Sequence, residues 1–402
     1  MSASTSPLQA SPGLPQGRLE RLRALGHDFL EGRREGAYLW DMQGHRYLDA
    51  VSGAGTHNLG RRPEAPVAAL RNALRDTDQG NFPMVSIEKA RLAETLAGFV
   101  PGPLECAVFS VMRGEAMDCA CKVARGRTGR AELVTVDGGW YGQTGFALTL
   151  SERADKTCFG PLIPEVRIVP FDDISAAEQA VTARTAAFIL EPLQAENNCR
   201  AAMPEYAGAV AQLCRDRGAL LVVDETQTNF GRTGHRFAFE ALGMSPDILV
   251  LGEALGAGVF PIAATLLTQD VNRFLNAHPL IHLSTFGGSD IGCRVALSAV
   301  ETYARLEPWR NASMVGARLL ADLRETAERP GSPIRGVAGA GLLLSLDCGT
   351  EEAAAALCRR AADQGLLVLP GAVARHTVVL RPSLLITEDE ADAIVTAVRA
   401  CL

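Results

Sequence analysis

The sequence predicts an α/β fold: a large domain with a mostly parallel central sheet covered by helices, followed by a small α/β C-terminal domain. Its 402 residues exceed what a single hydrophobic core usually organises. Short β-rich runs alternate with helical runs between residues 106 and 251, a pattern typical of a largely parallel sheet. The run at residues 219–223 is apolar throughout and therefore predicts a central strand.

The N-terminal part of the chain predicts a leader and a pair of strands. The Ser- and Pro-rich first residues predict a flexible leader, and residues 37–41 and 46–49 predict two short strands around a turn. Apolar residues at helical spacing predict helices between residues 63 and 100. The strands of the main sheet are expected at 106–111, 131–136, 166–169, 187–190, 219–223 and 248–251.

A separate lobe is predicted after the main sheet. Its expected elements are a helix at 293–303, strands at 342–346 and 378–381, and helices at 351–364 and 388–401. The predicted units are therefore a flexible leader and N-terminal segment (1–50), a large domain (51–290) and a small C-terminal domain (291–402).

The composition excludes several classes of protein. With 39 Lys and Arg against 46 Asp and Glu the net charge is -7, and no basic block interleaves with aromatic residues, so no nucleic-acid partner is expected. No apolar run approaches the roughly 20 residues of a membrane span, so no membrane partner is expected. The ten cysteines lack zinc-ligand spacing, which predicts free thiols in a reducing cytoplasm and no metal site.

An acidic residue ends the predicted central strand. Asp224 follows the apolar run directly, and a glycine-containing loop comes next. Ligands of such sheets bind beyond the carboxyl ends of the strands. A buried carboxylate is costly unless it meets a cation, which here could be a pyridinium nitrogen, an arginine or a metal. The acid alone does not choose among them.

Several neighbouring segments narrow the choice. They are Leu39-Trp40-Asp41, the Gly-rich loop at 52–60, Trp140-Tyr141-Gly142, Glu191-Pro192-Leu193-Gln194, Ser284-Thr285-Phe286-Gly287 and Arg381-Pro382-Ser383. In this order, from about Ala37 to Leu402, the chain resembles the class III aminotransferases, a pyridoxal-phosphate (PLP) family that includes ornithine and acetylornithine aminotransferases. The resemblance implies PLP fold type I and a homodimer whose sites lie at the subunit interface.

The resemblance also implies roles for single residues. Asp224 corresponds to the acid that keeps the pyridine nitrogen of PLP protonated, so that the ring acts as an electron sink. Gln227 corresponds to the side chain that contacts the ring hydroxyl, and Trp140 to the aromatic residue that stacks on the ring. Thr285 corresponds to the residue that reaches the phosphate from the other subunit.

The sequence departs from the family at the residue that anchors the cofactor. The family's Schiff-base lysine follows the strand at 248–251, but this chain has Glu253 there. Its only lysines are Lys89, Lys122 and Lys156, of which the first two lie on predicted amphipathic helices and the last in a polar loop. A carboxylate cannot form an imine, so we expect no covalently bound cofactor. Noncovalent PLP or pyridoxamine phosphate (PMP) remains open.

Charge and shape change elsewhere in the same site. At about 6 Å and an effective dielectric constant near 20, each unit charge interaction is worth roughly 3 kcal/mol, so Lys to Glu weakens the binding of anionic PLP unless a cation compensates. Arg113 and Gly114 stand where the family has a small-residue loop that holds the phosphate. Arg113 is expected either to replace that loop or to pair with Glu253. Tyr141 stands where histidine is common.

These departures favour a repurposed enzyme. The first hypothesis is that Glu253, with its pKa raised by burial, acts as an acid or base on a small amine- or carbonyl-bearing biosynthetic intermediate, in a cyclisation, condensation or dehydration of specialised metabolism. We expect the substrate to contact Trp140, Tyr141, His57, Arg113 and Arg381. Two alternatives remain: an inactive subunit that supports an active relative, and a conventional PLP aminotransferase.

Overall fold

The computed structural model describes residues 13–402, so the predicted leader falls mostly outside the described residues. The strands are β1 (Glu31–Glu35), β2 (Tyr38–Asp41), β3 (Arg46–Asp49), β4 (Leu104–Ser110), β5 (Glu132–Val136), β6 (Val166–Val169), β7 (Thr185–Leu190), β8 (Leu193–Gln194), β9 (Arg200–Ala201), β10 (Leu220–Asp224), β11 (Ile248–Leu251), β12 (Ala263–Thr268), β13 (Gly336–Ala340), β14 (Leu343–Asp347), β15 (Leu366–Leu367), β16 (Leu369–Pro370) and β17 (Thr377–Leu380).

Helices cover these strands. They are α1 (Gln16–Ala24), α2 (Ser52–Gly55), α3 (Glu64–Asp76), α4 (Ile87–Phe99), α5 (Arg113–Thr128), α6 (Gly145–Leu150), α7 (Ile174–Ala180), α8 (Pro204–Arg217), α9 (Ala238–Ala241), α10 (Gln269–Ala277), α11 (Asp290–Leu306), α12 (Pro308–Ala327), α13 (Glu351–Asp363) and α14 (Glu388–Ala400). Short 3-10 helices lie at Ala154–Phe159 and Glu253–Gly256. Among the residues from 13 to 402, no helix is long and apolar enough to cross a bilayer.

The main sheet has seven strands in the order β4-β12-β11-β10-β7-β5-β6. The predicted α/β class is confirmed, and β10 is the fourth strand, as its apolar run predicts. The strand β12 was not expected, and it runs antiparallel to both of its neighbours. Four of its six residues are apolar, and periodicity alone does not distinguish such a short run from a buried helical turn.

The order of the strands decides which residues meet at the ligand-binding edge. The neighbouring strands β7, β10 and β11 are parallel, so their carboxyl ends lie side by side. Each strand is followed by an acid within two residues: Glu191 after β7, Asp224 at the end of β10, and Glu253 after β11. Three carboxylates from distant parts of the sequence are thereby brought to one edge.

A second core lies under the C-terminal part of the chain. Buried side chains of α12, α13, α14, β14 and β17 pack together, and residues of the N-terminal β-strands join them. The strand β3 pairs with β15, which adds β1, β2 and β3 to this part of the molecule. In contrast, α11 packs against α3 and α4 in the first core. The change of core therefore falls between α11 and α12, and the domain boundary expected at 290 stays a prediction.

A buried arginine connects the two cores. Arg232 donates hydrogen bonds to the carbonyl oxygens of Leu342 (2.8 Å) and Pro382 (2.5 Å) and to the side chain of Asn58 (2.5 Å). Its side chain is fully buried and lacks a carboxylate partner, and burial lowers its pKa to about 9. The carbonyl dipoles take the place of a counter-ion, so the two cores hold a fixed relation around the site.

We predict that Gly316→Ala destabilises the fold. A Cβ at Gly316, on α12, would lie 2.1 Å from the carbonyl oxygen of Gly341, and backbone cannot move aside cheaply. The expected loss in the free energy of unfolding is about 1–3 kcal/mol, measured by urea denaturation. Gly208→Ala is the matched control because it is an exposed helical position with open space around it, where Ala should stabilise by about 0.5–1 kcal/mol. Equal effects of the two changes would contradict the packing argument.

Candidate functional site

A cavity of about 350 Å³ lies at the carboxyl edge of the main sheet. Its polar wall is formed by Thr56, His57, Arg113 and Glu253. The remaining wall is largely apolar and consists of Val111, Met112, Gly258, Val259, Phe260, Pro261 and Ile262. Three residues that the sequence singled out, His57, Arg113 and Glu253, therefore share one small space.

Glu253 is held in an unusual backbone conformation. It begins the 3-10 helix after β11 with φ of 44°, in the left-handed region that side chains other than glycine rarely adopt. Its carboxylate accepts a hydrogen bond of 3.4 Å from the Thr56 hydroxyl. Burial raises the pKa of Glu253 above its ordinary value, although the positive charge of Arg113 acts in the opposite direction. Such local strain is typical of functional sites.

Arg113 pairs with two carboxylates. It is the first residue of α5, and its side chain donates to Asp224 Oδ2 through Nε (3.1 Å) and to Glu191 Oε1 through Nη2 (2.7 Å). All three side chains are almost fully buried. Burial alone would lower the pKa of Arg113, but Asp224 and Glu191 raise it above its ordinary value. The guanidinium therefore stays charged.

Both oxygens of Asp224 already accept hydrogen bonds from the protein. Its Oδ1 accepts hydrogen bonds from the backbone N–H (2.9 Å) and the hydroxyl (2.6 Å) of Thr226, and its Oδ2 accepts from Arg113. Only 1% of its surface is exposed. Of the cations that the sequence left open as its partner, an arginine is the one in contact.

Glu191 belongs to the site, although the sequence interpretation gave it no role. It accepts from Arg113 and, through Oε2, from the backbone N–H of Trp140 (2.8 Å). Burial raises the pKa of Glu191 to about 7, and the charge of Arg113 opposes that rise. The signal was present, because Glu191 follows an apolar strand just as Asp224 does. The rule that identified one acid would have identified both.

His57 lies in the cavity wall as a neutral side chain. Burial lowers its pKa to about 4, and the positive charge of Arg61 contributes. Its Nδ1 is buried without a hydrogen-bond partner among residues 13–402. A neutral imidazole at this position donates or accepts a hydrogen bond, but it does not supply a positive charge at neutral pH.

Tyr141 is not part of the cavity wall, and its expected contact with the substrate stays a prediction. The side chain is fully buried, and its hydroxyl lies 2.9 Å from the Thr135 hydroxyl and 3.4 Å from the Ile189 carbonyl oxygen. Burial raises its pKa well above the ordinary value for tyrosine. Its aromatic ring packs between β5 and α5 in the core, which leaves no exposed surface for a ligand.

Gln227 and Arg381 meet in a second polar group. One nitrogen of Arg381, Nη1, donates to Gln227 Oε1 (3.0 Å) and to Glu196 Oε1 (2.5 Å). All three side chains are buried, and Arg381 holds the pKa of Glu196 below its ordinary value against the opposing effect of burial. Arg381 is thus already neutralised. Its Nε has no hydrogen-bond partner among residues 13–402, and its expected role in holding a substrate carboxylate stays a prediction.

The remaining expected site residues lie outside the cavity wall. Trp140 is half-buried, lies under the guanidinium of Arg153 at 5.4 Å, and lines a different cavity. Gly114 packs tightly, because a Cβ there would lie 2.7 Å from the Thr144 hydroxyl. Thr285 is exposed in the single chain. The roles expected for these three residues stay predictions.

The cavity combines the groups that proton transfer requires. Glu253 is a carboxylate of raised pKa between apolar walls, and a general acid or base works best when its pKa approaches the ambient pH. Arg113 lines the same space, and its Nη1 has no hydrogen-bond partner in the described part of the chain. Within residues 13–402, no group of three or more His, Cys, Asp or Glu side chains is arranged to hold a metal ion.

A protein-family model matches most of this chain. The model described as Aminotransferase class-III matches residues 26–402. A relative from Archaeoglobus fulgidus, described as an uncharacterized aminotransferase, is 39% identical over 295 residues. That alignment covers 73% of this chain and 70% of the relative.

Solved structures give the same result at the level of the fold. An ornithine aminotransferase from Toxoplasma gondii, described with partial occupancy of PLP at its active site, superposes with a TM-score of 0.87 at 27% identity, over 93% of this chain and 90% of that one. A thermostable (S)-enantioselective omega-transaminase from Thermomicrobium roseum superposes with a TM-score of 0.89 at 26% identity, over 98% and 96% of the two chains.

We predict that Glu253→Gln stabilises the protein increasingly as the pH rises from 5 to 8. A raised carboxyl pKa means that the unfolded chain ionises first, so wild-type stability is lost as pH rises through the folded pKa. Glutamine cannot ionise, and its oxygen can still accept from Thr56. Urea denaturation at about pH 5 and about pH 8 measures the effect, with exposed Glu178→Gln as the control. A stabilisation that is larger at pH 5 would contradict the prediction.

Proposed function

Because this chain belongs to the class III aminotransferase family, we propose that it is an enzyme that uses the family's scaffold for acid–base chemistry by Glu253. The proposed substrate is a small amine- or carbonyl-bearing biosynthetic intermediate. The proposed reaction is a cyclisation, condensation or dehydration without a lysine-bound cofactor. The observation that carries the proposal is a strained carboxylate of raised pKa, at the expected lysine position, in the wall of a small cavity.

The lysines of this chain do not fit a covalently bound PLP. Lys89 donates to the carbonyl oxygens of Asn81 and Met84. Lys156 donates to two other carbonyl oxygens, and Lys122 is exposed on α5. None of the three lines the cavity beside Glu253. The proposed reaction therefore does not pass through PLP.

The roles proposed for the cavity residues follow from their chemistry. Glu253 removes or returns a proton next to a carbonyl or imine carbon. The Nη1 of Arg113 donates a hydrogen bond to the substrate oxygen on which negative charge develops. A buried donor without another partner stabilises such a charge. Neutral His57 and the Thr56 hydroxyl orient the substrate through hydrogen bonds. The apolar wall keeps the proton affinity of Glu253 high.

Conventional transamination is the second candidate function. The matched family and the named relatives favour it, since both solved relatives are described as aminotransferases or transaminases. It requires an amine that forms an imine with the aldehyde of PLP, and residue 253 is not a lysine. The two candidates therefore differ in a covalent adduct that can be detected directly.

A homodimer is part of the proposal. Exposed large apolar side chains are concentrated in two segments, Phe82, Met84, Val85 and Ile87 in the first and Leu280, Ile281, Leu283 and Phe286 in the second. Asp290 follows the second segment and contacts residues in and beside the first. It accepts a hydrogen bond from the Ser86 hydroxyl (2.6 Å) and donates its N–H to the Gln79 carbonyl oxygen (3.3 Å). Apolar patches of this kind mark protein interfaces. Thr285 lies on the second segment, which supports its expected role across the interface.

We predict that the chain alone forms a dimer and that Leu283→Asp produces monomers. A carboxylate buried at an apolar interface costs several kcal/mol, enough to shift the equilibrium about 100-fold or more. Size-exclusion chromatography with light scattering gives the mass. Met314→Asp, at an exposed apolar position of α12 away from both segments, should leave the dimer intact. A monomeric wild-type chain would contradict the dimer and favour an inactive subunit that needs another partner.

We predict that Glu253→Gln abolishes activity and leaves the fold intact. The assay follows deuterium uptake from D2O beside the carbonyl group of a series of short aliphatic amino ketones, by mass spectrometry. Loss of a general base lowers such a rate by at least about 100-fold. Circular dichroism and the elution volume of the variant should match those of wild type. Full exchange by Glu253→Gln would remove Glu253 from the reaction.

Borohydride reduction separates the two candidate functions. Wild-type protein incubated with PLP and reduced should yield no lysine adduct by peptide mapping. Glu253→Lys serves as the positive control for the chemistry of trapping. An adduct on Lys89, Lys122 or Lys156 would replace the proposed function by conventional transamination.

A further inference from the structure

Arg113 occupies the centre of the site that the family implies for the cofactor. We propose that its ion pairs with Asp224 and Glu191 make it the resident cation of this site and exclude PLP and PMP. The proposal deepens the proposed function and rests on it for the identity of the site. It concerns Arg113 rather than Glu253, so the two are tested separately.

The first argument is the existing pairing of Asp224 with Arg113. Its two oxygens already accept three hydrogen bonds, two from Thr226 and one from Arg113, and it is 1% exposed. A ring nitrogen would have to displace the guanidinium from Asp224. The same movement would break the 2.7 Å hydrogen bond to Glu191 and leave a buried carboxylate without its cation.

The second argument concerns the N-terminus of α5, where a phosphate group would be expected to bind. The carboxylate of Glu115, in the first turn, accepts the backbone N–H of Val111 at 2.7 Å. One of the backbone donors next to this helix end is thus already used, and by a negative charge. A phosphate dianion would lie close to that carboxylate and to Glu253, with repulsion from both. Arg113 offsets only part of this repulsion, because its single positive charge is shared by Asp224 and Glu191.

The third argument is the balance of charge. Glu191, Asp224 and Glu253 stand at the ends of three adjacent strands, and Arg113 is the cation that interacts with all of them. In a site built for a pyridinium ring, the ligand itself would supply that positive charge. Here the chain supplies it from α5. Asp224 at the end of β10 therefore has a fixed partner within the chain, which is Arg113.

The test is binding of PMP, which carries an amine and needs no lysine. Isothermal titration calorimetry should detect no saturable binding to wild-type protein up to about 1 mM. Arg113→Ser leaves two buried carboxylates without a cation and risks unfolding, so the double variant Arg113→Ser/Glu191→Gln accompanies it. The double variant retains Asp224 for the ring nitrogen. It should bind PMP at least about tenfold more tightly than wild type and show a higher melting temperature with PMP.

Arg127→Ser is the matched control because Arg127 lies on the same helix but pairs with Asp270 at the surface. It should resemble wild type in both measurements. Saturable PMP binding by wild-type protein would overturn the proposal, as would its absence from a folded double variant. Neither PMP-binding result fixes the outcome of the deuterium assay of Glu253→Gln. Conversely, full exchange by Glu253→Gln would refute the proposed function and leave the exclusion of PMP by Arg113 standing.

Discussion

The shared guanidinium of Arg113 is the interaction on which the site depends. Three parallel strands deliver Glu191, Asp224 and Glu253 to one edge of the sheet, where neighbouring carboxylates repel one another unless a cation lies among them. Arg113 enters from the start of α5 and pairs with two of them. The third carboxylate, Glu253, interacts with it only through the electric field and keeps a raised pKa. The charge of Arg113 is thus common to the ion pairs of the site and to the environment of Glu253 on which its proposed reactivity depends.

The same constraint relates the family's scaffold to the chemistry proposed for this site. An α/β sheet places ligands beyond the carboxyl ends of its strands, whatever the ligand is. Aminotransferase relatives share this sheet over nearly the whole chain. With an arginine on the central acid and a glutamate beside it, the edge offers a proton carrier and an unpartnered N–H donor instead of an amine. A change of a few side chains at fixed backbone positions is enough for this, because function lies in the site rather than in the fold.

Local sequence patterns anticipated most of the elements but not the partners of the site residues. The strands at 166–169 and 248–251 agree with β6 and β11 to the residue, since β-branched apolar runs between turns have few alternatives. The antiparallel β12 was missed because it is short and apolar. Tyr141 stands where the family commonly has histidine, and its hydroxyl lies beside that of Thr135. Glu191 received no role, although it follows an apolar strand as Asp224 does, and only the pairing of β7 with β10 shows that the two acids are neighbours.

The sequence by itself determined the α/β class, the family resemblance, and the absence of a lysine at position 253, because each is a property of residue order and type. Only the tertiary structure decided that Arg113 pairs with Asp224 and Glu191, residues 111 and 78 positions away. Two alternatives for Arg113, a phosphate or Glu253 as partner, were equally compatible with the sequence. The choice depends on the order of strands in the sheet and on the direction in which α5 enters it, and both are set by packing over the whole chain.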